Sequence, residues 1–79
     1  MIKNELCENY SIITIHGTSE VYVENFISII ELCETSIRIR AKNEIISIEG
    51  KNIIIEYMNS DDIKICGTVD SIRIVGVLH

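Results

Sequence analysis

The chain has 79 residues, of which 47% are hydrophobic, and a formal net charge of −5. A chain this short forms one domain, 1–79, and buries only about 60% of its unfolded surface, so its core is marginal. Binding through nucleic-acid phosphates requires a basic surface, and the acidic balance therefore predicts no nucleic-acid partner.

Neither a transmembrane segment nor a signal peptide is expected. The longest apolar runs, such as 53–55, are far shorter than the roughly 20 residues of a membrane-spanning helix. The N-terminal residues turn acidic before a signal peptide's apolar stretch could form. We therefore expect an intracellular protein.

The cysteines predict free thiols. There are three cysteines, an odd number, and they are widely spaced: Cys7, Cys33 and Cys66. The sequence therefore predicts neither a disulfide framework nor a short zinc-binding motif. We expect no metal and no cofactor.

Isoleucines and valines recur in pairs two residues apart along most of the chain. In chain order the pairs are Ile13/Ile15, Val21/Val23, Ile37/Ile39, Ile46/Ile48, Ile63/Ile65 and Ile72/Ile74. Successive side chains of a strand face opposite sides, so this pattern predicts strands with one buried face. Residues 25–36 break the alternation. They are predicted to be a strand with a bulge, with a short helical turn as the alternative.

Short polar segments at 17–19, 42–43, 50–52, 59–61 and 67–68 separate the predicted strands. Their glycine, asparagine and aspartate residues suit tight turns, and short connections join antiparallel neighbours. The predicted fold class is all-β: a small antiparallel β-meander of about seven or eight short strands, arranged as a curled sheet or a compact sandwich or barrel. A β-solenoid-like stack is the alternative.

The phrase Ile-x-Ile-x-Gly recurs as ITIHG, ISIEG, IKICG and IRIVG, with IRIRA as a variant. IRIRA precedes ISIEG by the same interval at which IKICG precedes IRIVG. This spacing predicts two similar hairpins, 37–50 and 63–76, bridged by a strand at 52–58. The glycines are expected to end strands.

Several apolar residues fall on the outward side of the predicted strands: Ile12, Tyr22, Ile54, Met58 and Val75. Either the sheet curls over them or another chain covers them. They form the predicted interaction surface, for a protein partner or for self-association.

No catalytic motif is found, and we expect no enzyme. One alternative is a small-ligand sensor or enzyme that pairs His16 with Cys33 or Cys66, which requires an enclosed polar pocket joining them. Another is an assembly protein that polymerises by pairing strand edges, which proline-free, isoleucine-rich strands permit.

An ordered series of phrases resembles the YabP/YqfC family, and its YqfC branch in particular. The series is ITIHG, VYVENF, ISIIELCETSIRIR, ISIEGKNIIIEYM and DDIKICGTVDSIRI, which together extend from Ile13 to Ile74. The family motif positions are Gly17, Tyr22, Glu24, Asn25, Gly50 and Gly67, which we interpret as structural. YqfC-like proteins resemble one another in a longer, basic N-terminal leader that this sequence is expected to lack.

This resemblance implies a small all-β protein of endospore-forming bacteria that is needed for spore formation and is cytoplasmic, in the mother cell. It implies no catalytic residue and no cofactor. The predicted function is a non-catalytic structural or protein-interaction module of sporulation.

Overall fold

The computed structural model describes residues 11–76, so the prediction for Cys7 lies outside the described residues. The strands are β1 (Ile12–His16), β2 (Glu20–Glu24), β3 (Phe26–Cys33), β4 (Ser36–Ala41), β5 (Glu44–Met58) and β6 (Asp62–Gly76). The described part of the chain includes no helix that is long and apolar enough to cross a membrane.

The six strands form one sheet in the order β1-β2-β6-β5-β4-β3, and every neighbouring pair is antiparallel. The all-β prediction is confirmed. The β-solenoid alternative is wrong, because a solenoid stacks parallel rungs. The meander prediction applies to β3 through β6, whereas the β1–β2 hairpin pairs with β6 at the far side of the sheet.

The predicted count of about seven or eight short strands is wrong, because two predicted turns are bends inside long strands. β5 and β6 each contain 15 residues. The predicted hairpin 37–50 is formed by β4 and β5. Segment 52–58 is the second part of β5, and 63–76 belongs to one continuous strand instead of a hairpin.

Gly50 and Gly67, predicted to end strands, lie at these bends. A Cβ atom on Gly50 would collide with the backbone carbonyl of Thr68. Gly67 has a φ of +134°, and a Cβ there would lie 2.5 Å from the carbonyl oxygen of Asn52. Glycine is required because the backbones of the two strands approach too closely for a side chain.

The turns of the β1–β2 and β3–β4 hairpins form backbone hydrogen bonds with the two bends. At the β6 bend, the N–H groups of Gly67 and Val69 donate to the carbonyl oxygens of Ser19 and Thr18, at 3.2 and 2.7 Å. At the β5 bend, those of Gly50 and Ile53 donate to the carbonyl oxygens of Thr35 and Glu34, at 2.9 and 2.7 Å. Backbone donors that the bends release from the ladder therefore keep partners.

The strand pairing also shows that the two halves of the sheet resemble each other: β2 and β6 pair in the same way as β4 and β5. The matching cross-strand pairs are Val21 with Ile65 and Val23 with Ile63 in one half, and Ile37 with Ile48 and Ile39 with Ile46 in the other. ISIEG of β5 therefore corresponds to IKICG of β6, and each phrase runs into a glycine bend. The repeat is real, but it relates these two phrases and not the two hairpins predicted from the spacing.

The core is made of side chains that are at most 3% exposed: Val21, Val23, Ile37, Ile39, Ala41, Ile46, Ile48, Ile53, Ile63 and Ile65. These residues come from both halves of the one sheet. A single flat sheet would leave them open to water, so the two halves must fold toward each other at the bends. Of the predicted arrangements, the curled sheet is confirmed, and β1 and β3 remain as its edges.

Two residues predicted to point inward are about half exposed. Ile15 is 52% exposed and Ile74 is 53% exposed. Ile15 lies on the edge strand β1, and Ile74 lies near the end of β6. At these margins the opposite half of the sheet does not extend far enough to cover them.

Strand β3 confirms the prediction of a strand with a bulge for residues 25–36, and the helical-turn alternative is wrong. Its pairing with β4 shifts register twice, after Phe26 and after Ile29. The extra residues are Ile27 and Ile30, which are 56% and 45% exposed. A bulged edge strand twists away from straight pairing with another chain.

Candidate interaction faces

The curled sheet presents two outward faces, built from the side chains that alternate with the buried isoleucines and valines. The acidic face lies on β1, β2, the start of β6 and the end of β5, and comprises Ile12, His16, Glu20, Tyr22, Glu24, Ile54, Glu56, Tyr57, Asp62, Lys64 and Cys66. The basic face lies on β4, the start of β5 and the end of β6, and comprises Arg38, Arg40, Ile45, Ser47, Glu49, Arg73 and Val75.

Lys64 lies at the centre of the acidic face between two carboxylates. Its Nζ is 3.6 Å from Oε2 of Glu20 and 3.5 Å from Oε1 of Glu56. The charges of Glu20 and then Glu56 raise the pKa of Lys64. Such exposed pairs add little to stability, but they fix where the surface charges stand.

Cys66 is bonded to the same cluster. Its Sγ donates to Oε1 of Glu56 at 2.7 Å. This hydrogen bond, followed by partial burial, raises the pKa of Cys66, and it is also the main cause of the lowered pKa of Glu56. The thiol therefore stays protonated at neutral pH and is a poor nucleophile.

Donor atoms of Glu20, Glu56 and Cys66 lie within 4.8 Å of one another, which is close enough to share a cation. The ammonium of Lys64 already lies beside both carboxylates. A cation would have to displace it and remove the proton from the thiol, because metals bind thiolate. The cluster is therefore better described as an ion-pair network than as a metal centre.

His16 lies in the same cross-strand row, with Glu20 between it and Cys66. Its Nδ1 is 3.2 Å from Oε1 of Glu20, and its side chain is 65% exposed. Cys33, the other predicted partner of His16, lies in the other half of the sheet, on β3. The row is on an open surface, whereas a sensor or enzyme would need His16 enclosed with its cysteine. That the protein is not an enzyme stays a prediction.

Tyr22 of the family motif is half-buried on the acidic face. Partial burial of the phenol, followed by the charge of Asp62 and the proximity of Tyr57, raises the pKa of Tyr22. A half-buried aromatic ring with a polar hydroxyl, held among charged groups, suits protein contacts that are partly apolar and partly polar.

The basic face contains a groove of about 330 Å³. Arg38 and Arg73 lie on either side of Ser47 in one cross-strand row, and Ile45, Glu49 and Val75 complete the lining. Neighbouring strands are about 4.8 Å apart, so the two arginine backbones are about 10 Å apart. Arg38 is also 3.4 Å from the carboxylate of Glu31.

The five residues of the predicted interaction surface do not form one patch. Ile12, Tyr22 and Ile54 lie on the acidic face, and Val75 lines the groove of the basic face. The outward prediction for Met58 is wrong: it pairs with the buried Ile63 and so lies on the inner side of the sheet, because the β5–β6 register shifts just before it. Except for the half-buried Tyr22, each is about half exposed. The outward apolar residues are thus shared between two surfaces.

Two further motif positions have backbone conformations that explain the residue type. Gly17 lies in the β1–β2 turn with a φ of +61°, and Asn25 lies between β2 and β3 with a φ of 71°. The N–H of Asn25 donates to the carbonyl oxygen of Asp61 at 2.7 Å. Glycine and asparagine adopt this left-handed conformation most readily. Glu24 instead faces outward, opposite Asp62.

Arg38 and Arg73 were missed as site residues by the sequence analysis. Alternation in IRIRA predicts only that Arg38 faces outward from its strand, and Arg73 lies 35 positions further along the chain. Only the pairing of β4, β5 and β6 brings them to one groove. Both arginines are the second residue of similar phrases, IRIR and IRIV, and this similarity was the signal in the sequence.

Cys33 differs from Cys66 in its surroundings. It is exposed at the end of β3, and its Sγ lies 3.4 Å from the hydroxyl of Ser36 and 3.5 Å from that of Thr35. Hydrogen bonds from Ser36 and then Thr35 lower the pKa of Cys33 to about 7. About half of this thiol is therefore ionised at neutral pH.

We expect iodoacetamide to label Cys33 at least about five times faster than Cys66 at pH 7, after allowing for the lower nucleophilicity of an acidic thiolate. The Cys33 rate should level off above about pH 8, because its pKa is about 7. The Cys66 rate should still rise above pH 9. Peptide mass spectrometry resolves the sites, and removing both hydroxyls with Thr35→Val and Ser36→Ala should slow Cys33. Equal pH midpoints for the two thiols would contradict this prediction.

Comparison with known proteins places the chain in a family. Residues 8–76 match the YabP family. The chain is also similar to the uncharacterized protein YqfC of Bacillus subtilis (strain 168), with 32% identity over 63 residues, covering 80% of this chain and 68% of that protein. No solved structure matches the chain.

An antiparallel sheet folded at two glycines, with charged outer faces, defines a small all-β protein. The chain belongs to the YabP family, as the order of its phrases predicts.

Proposed function

We propose that this protein is a non-catalytic protein-interaction module that acts in the mother cell during endospore formation. The sporulation role is what the family resemblance implies, and family membership supports it. The observation that carries the molecular part is the pair of outer faces, where large apolar side chains stand exposed among fixed charges. Ile54 is the clearest example, at 58% exposed.

The outer faces suit a protein partner better than a small ligand. The apolar side chains of the acidic face, Ile12, Ile54 and Tyr57, are exposed by 54, 58 and 48% and are bordered by carboxylates. Interfaces between proteins combine an apolar, aromatic centre with a polar rim. Small-molecule sites are usually enclosed, whereas these residues stand on an open sheet surface.

The test is complementation of a sporulating strain from which the gene has been deleted. Deletion should lower the count of heat-resistant spores, and the wild-type chain should restore it. Ile54→Lys should fail to restore it, since a charge at an apolar contact must be desolvated on binding. Ser60→Lys adds the same charge in the exposed β5–β6 turn and should restore the count fully.

Folding is checked by comparing the thermal unfolding of both variants with that of the wild type. Full sporulation of the deletion strain, or equal rescue by the two lysine variants, would refute the proposal. A fluorescent fusion that is restricted to the forespore would refute the mother-cell location.

A further inference from the structure

We propose that the acidic face of one copy docks on the basic face of a second copy, so that molecules associate head to tail. This inference deepens the proposed function and rests on it, by naming a second copy of the chain as the partner of both faces.

The charges of the two faces are opposite in sign. On the acidic face, four carboxylates outnumber one lysine: Glu20, Glu24, Glu56 and Asp62 against Lys64. On the basic face and the neighbouring edge of β3, three arginines outnumber two carboxylates: Arg38, Arg40 and Arg73 against Glu31 and Glu49. The chain as a whole carries −5, so a local excess of arginine depends on how the strands pair. Faces of opposite sign attract and orient each other.

The shapes and apolar parts of the faces also correspond. The groove between Arg38 and Arg73 is partly apolar, through Ile45 and Val75. The acidic face offers exposed apolar side chains next to its carboxylates, notably Ile54 beside Glu56. A docked acidic face would bring carboxylates to the groove arginines while covering apolar surface on both copies.

The contact is heterologous, because it joins two different surfaces of the same chain. After two copies dock, a basic face stays free on one copy and an acidic face on the other, so association continues into chains unless a ring closes. This differs from polymerisation by edge pairing, in which β1 and β3 would extend the backbone ladder and the charges of the faces would matter little.

The test uses two charge-reversal variants. R38E/R73E makes both faces acidic, and E24K/E56K leaves both faces with a small excess of positive charge. Neither variant can dock on itself, but a mixture again offers opposite faces at every contact. Light scattering and sedimentation equilibrium measure the average molar mass against concentration at low and high salt.

We expect the wild-type mass to rise above the 9.0 kDa of one chain with increasing concentration, and to fall with added salt. Each variant alone should stay at one chain, and the equimolar mixture should recover the wild-type rise. K42E/K51E and E34K/D70K make the same changes of net charge at exposed positions outside both faces. These controls should associate like the wild type.

A monomeric wild type, variants that still associate, or a mixture that stays monomeric would each overturn the head-to-tail contact. These failures are distinct from failure of the proposed function. If Ile54→Lys still abolishes rescue of sporulation while the wild type is monomeric, the interaction module stands and its partner is another protein.

Discussion

Gly50→Ala is expected to lower the free energy of unfolding by more than about 3 kcal/mol, because the new methyl group would collide with a backbone carbonyl. The carbonyl belongs to Thr68 on β6, and it cannot rotate away as a flexible side chain could. A domain of this size has only about 4–12 kcal/mol of stability in total. Urea denaturation followed by circular dichroism should show a much lower midpoint or an unfolded chain.

Gly76→Ala is the matched control. Gly76 ends β6, its φ is not in the positive range, and nothing lies within 4 Å of the position of an added Cβ. Its unfolding midpoint should stay close to that of the wild type. If Gly50→Ala unfolded within about 1 kcal/mol of Gly76→Ala, the close approach of β5 and β6 at the bend would be wrong.

Ile65→Ala is expected to cost about 2–5 kcal/mol, because it removes a fully buried side chain and leaves a cavity between the two halves of the sheet. Ile54→Ala makes the same chemical change one strand away, at a side chain that is 58% exposed on the outer face. It should change the free energy of unfolding by less than about 0.5 kcal/mol in dilute protein.

The comparison of these two isoleucines tests which side of the sheet is the core. Both lie where β5 and β6 pair, since Ile54 is opposite Cys66 and Ile65 is opposite Ile55. Equal losses of stability from the two alanine variants would mean that the outer face is covered within the monomer. That result would also remove the basis for the acidic face as a contact surface.

The core was predictable from the sequence because it depends on a local rule. Alternation in VYV and in the Ile-x-Ile phrases assigns each side chain to a side of its strand, and eight of these residues are fully buried. The rule does not say which strands lie at the margins, where Ile15 and Ile74 are half exposed. The bends were not predictable in this way. Gly50 with Asn52 resembles a hairpin turn in sequence, and only the collision with β6 shows that glycine serves a close approach of two strands.

The candidate faces were predictable only in part. The outward position of Ile54 follows from alternation, but the gathering of Arg38 and Arg73 into one groove follows from strand order. Strand order depends on which distant segments pair, and the period-two pattern of apolar residues does not predict those pairings. The surface predicted as one patch therefore divides into two of opposite charge.

The strand order also has a consequence for synthesis. β2 leaves the ribosome well before β6, yet β6 is its neighbour on one side. Until residues 62–66 emerge, Val21 and Val23 can pair only with β1, and the other edge of β2 has no neighbour. The β1–β2 hairpin must therefore wait for β6 before it can join the sheet. This makes folding slow relative to a simple meander, and it leaves an unpaired strand edge exposed to other nascent chains.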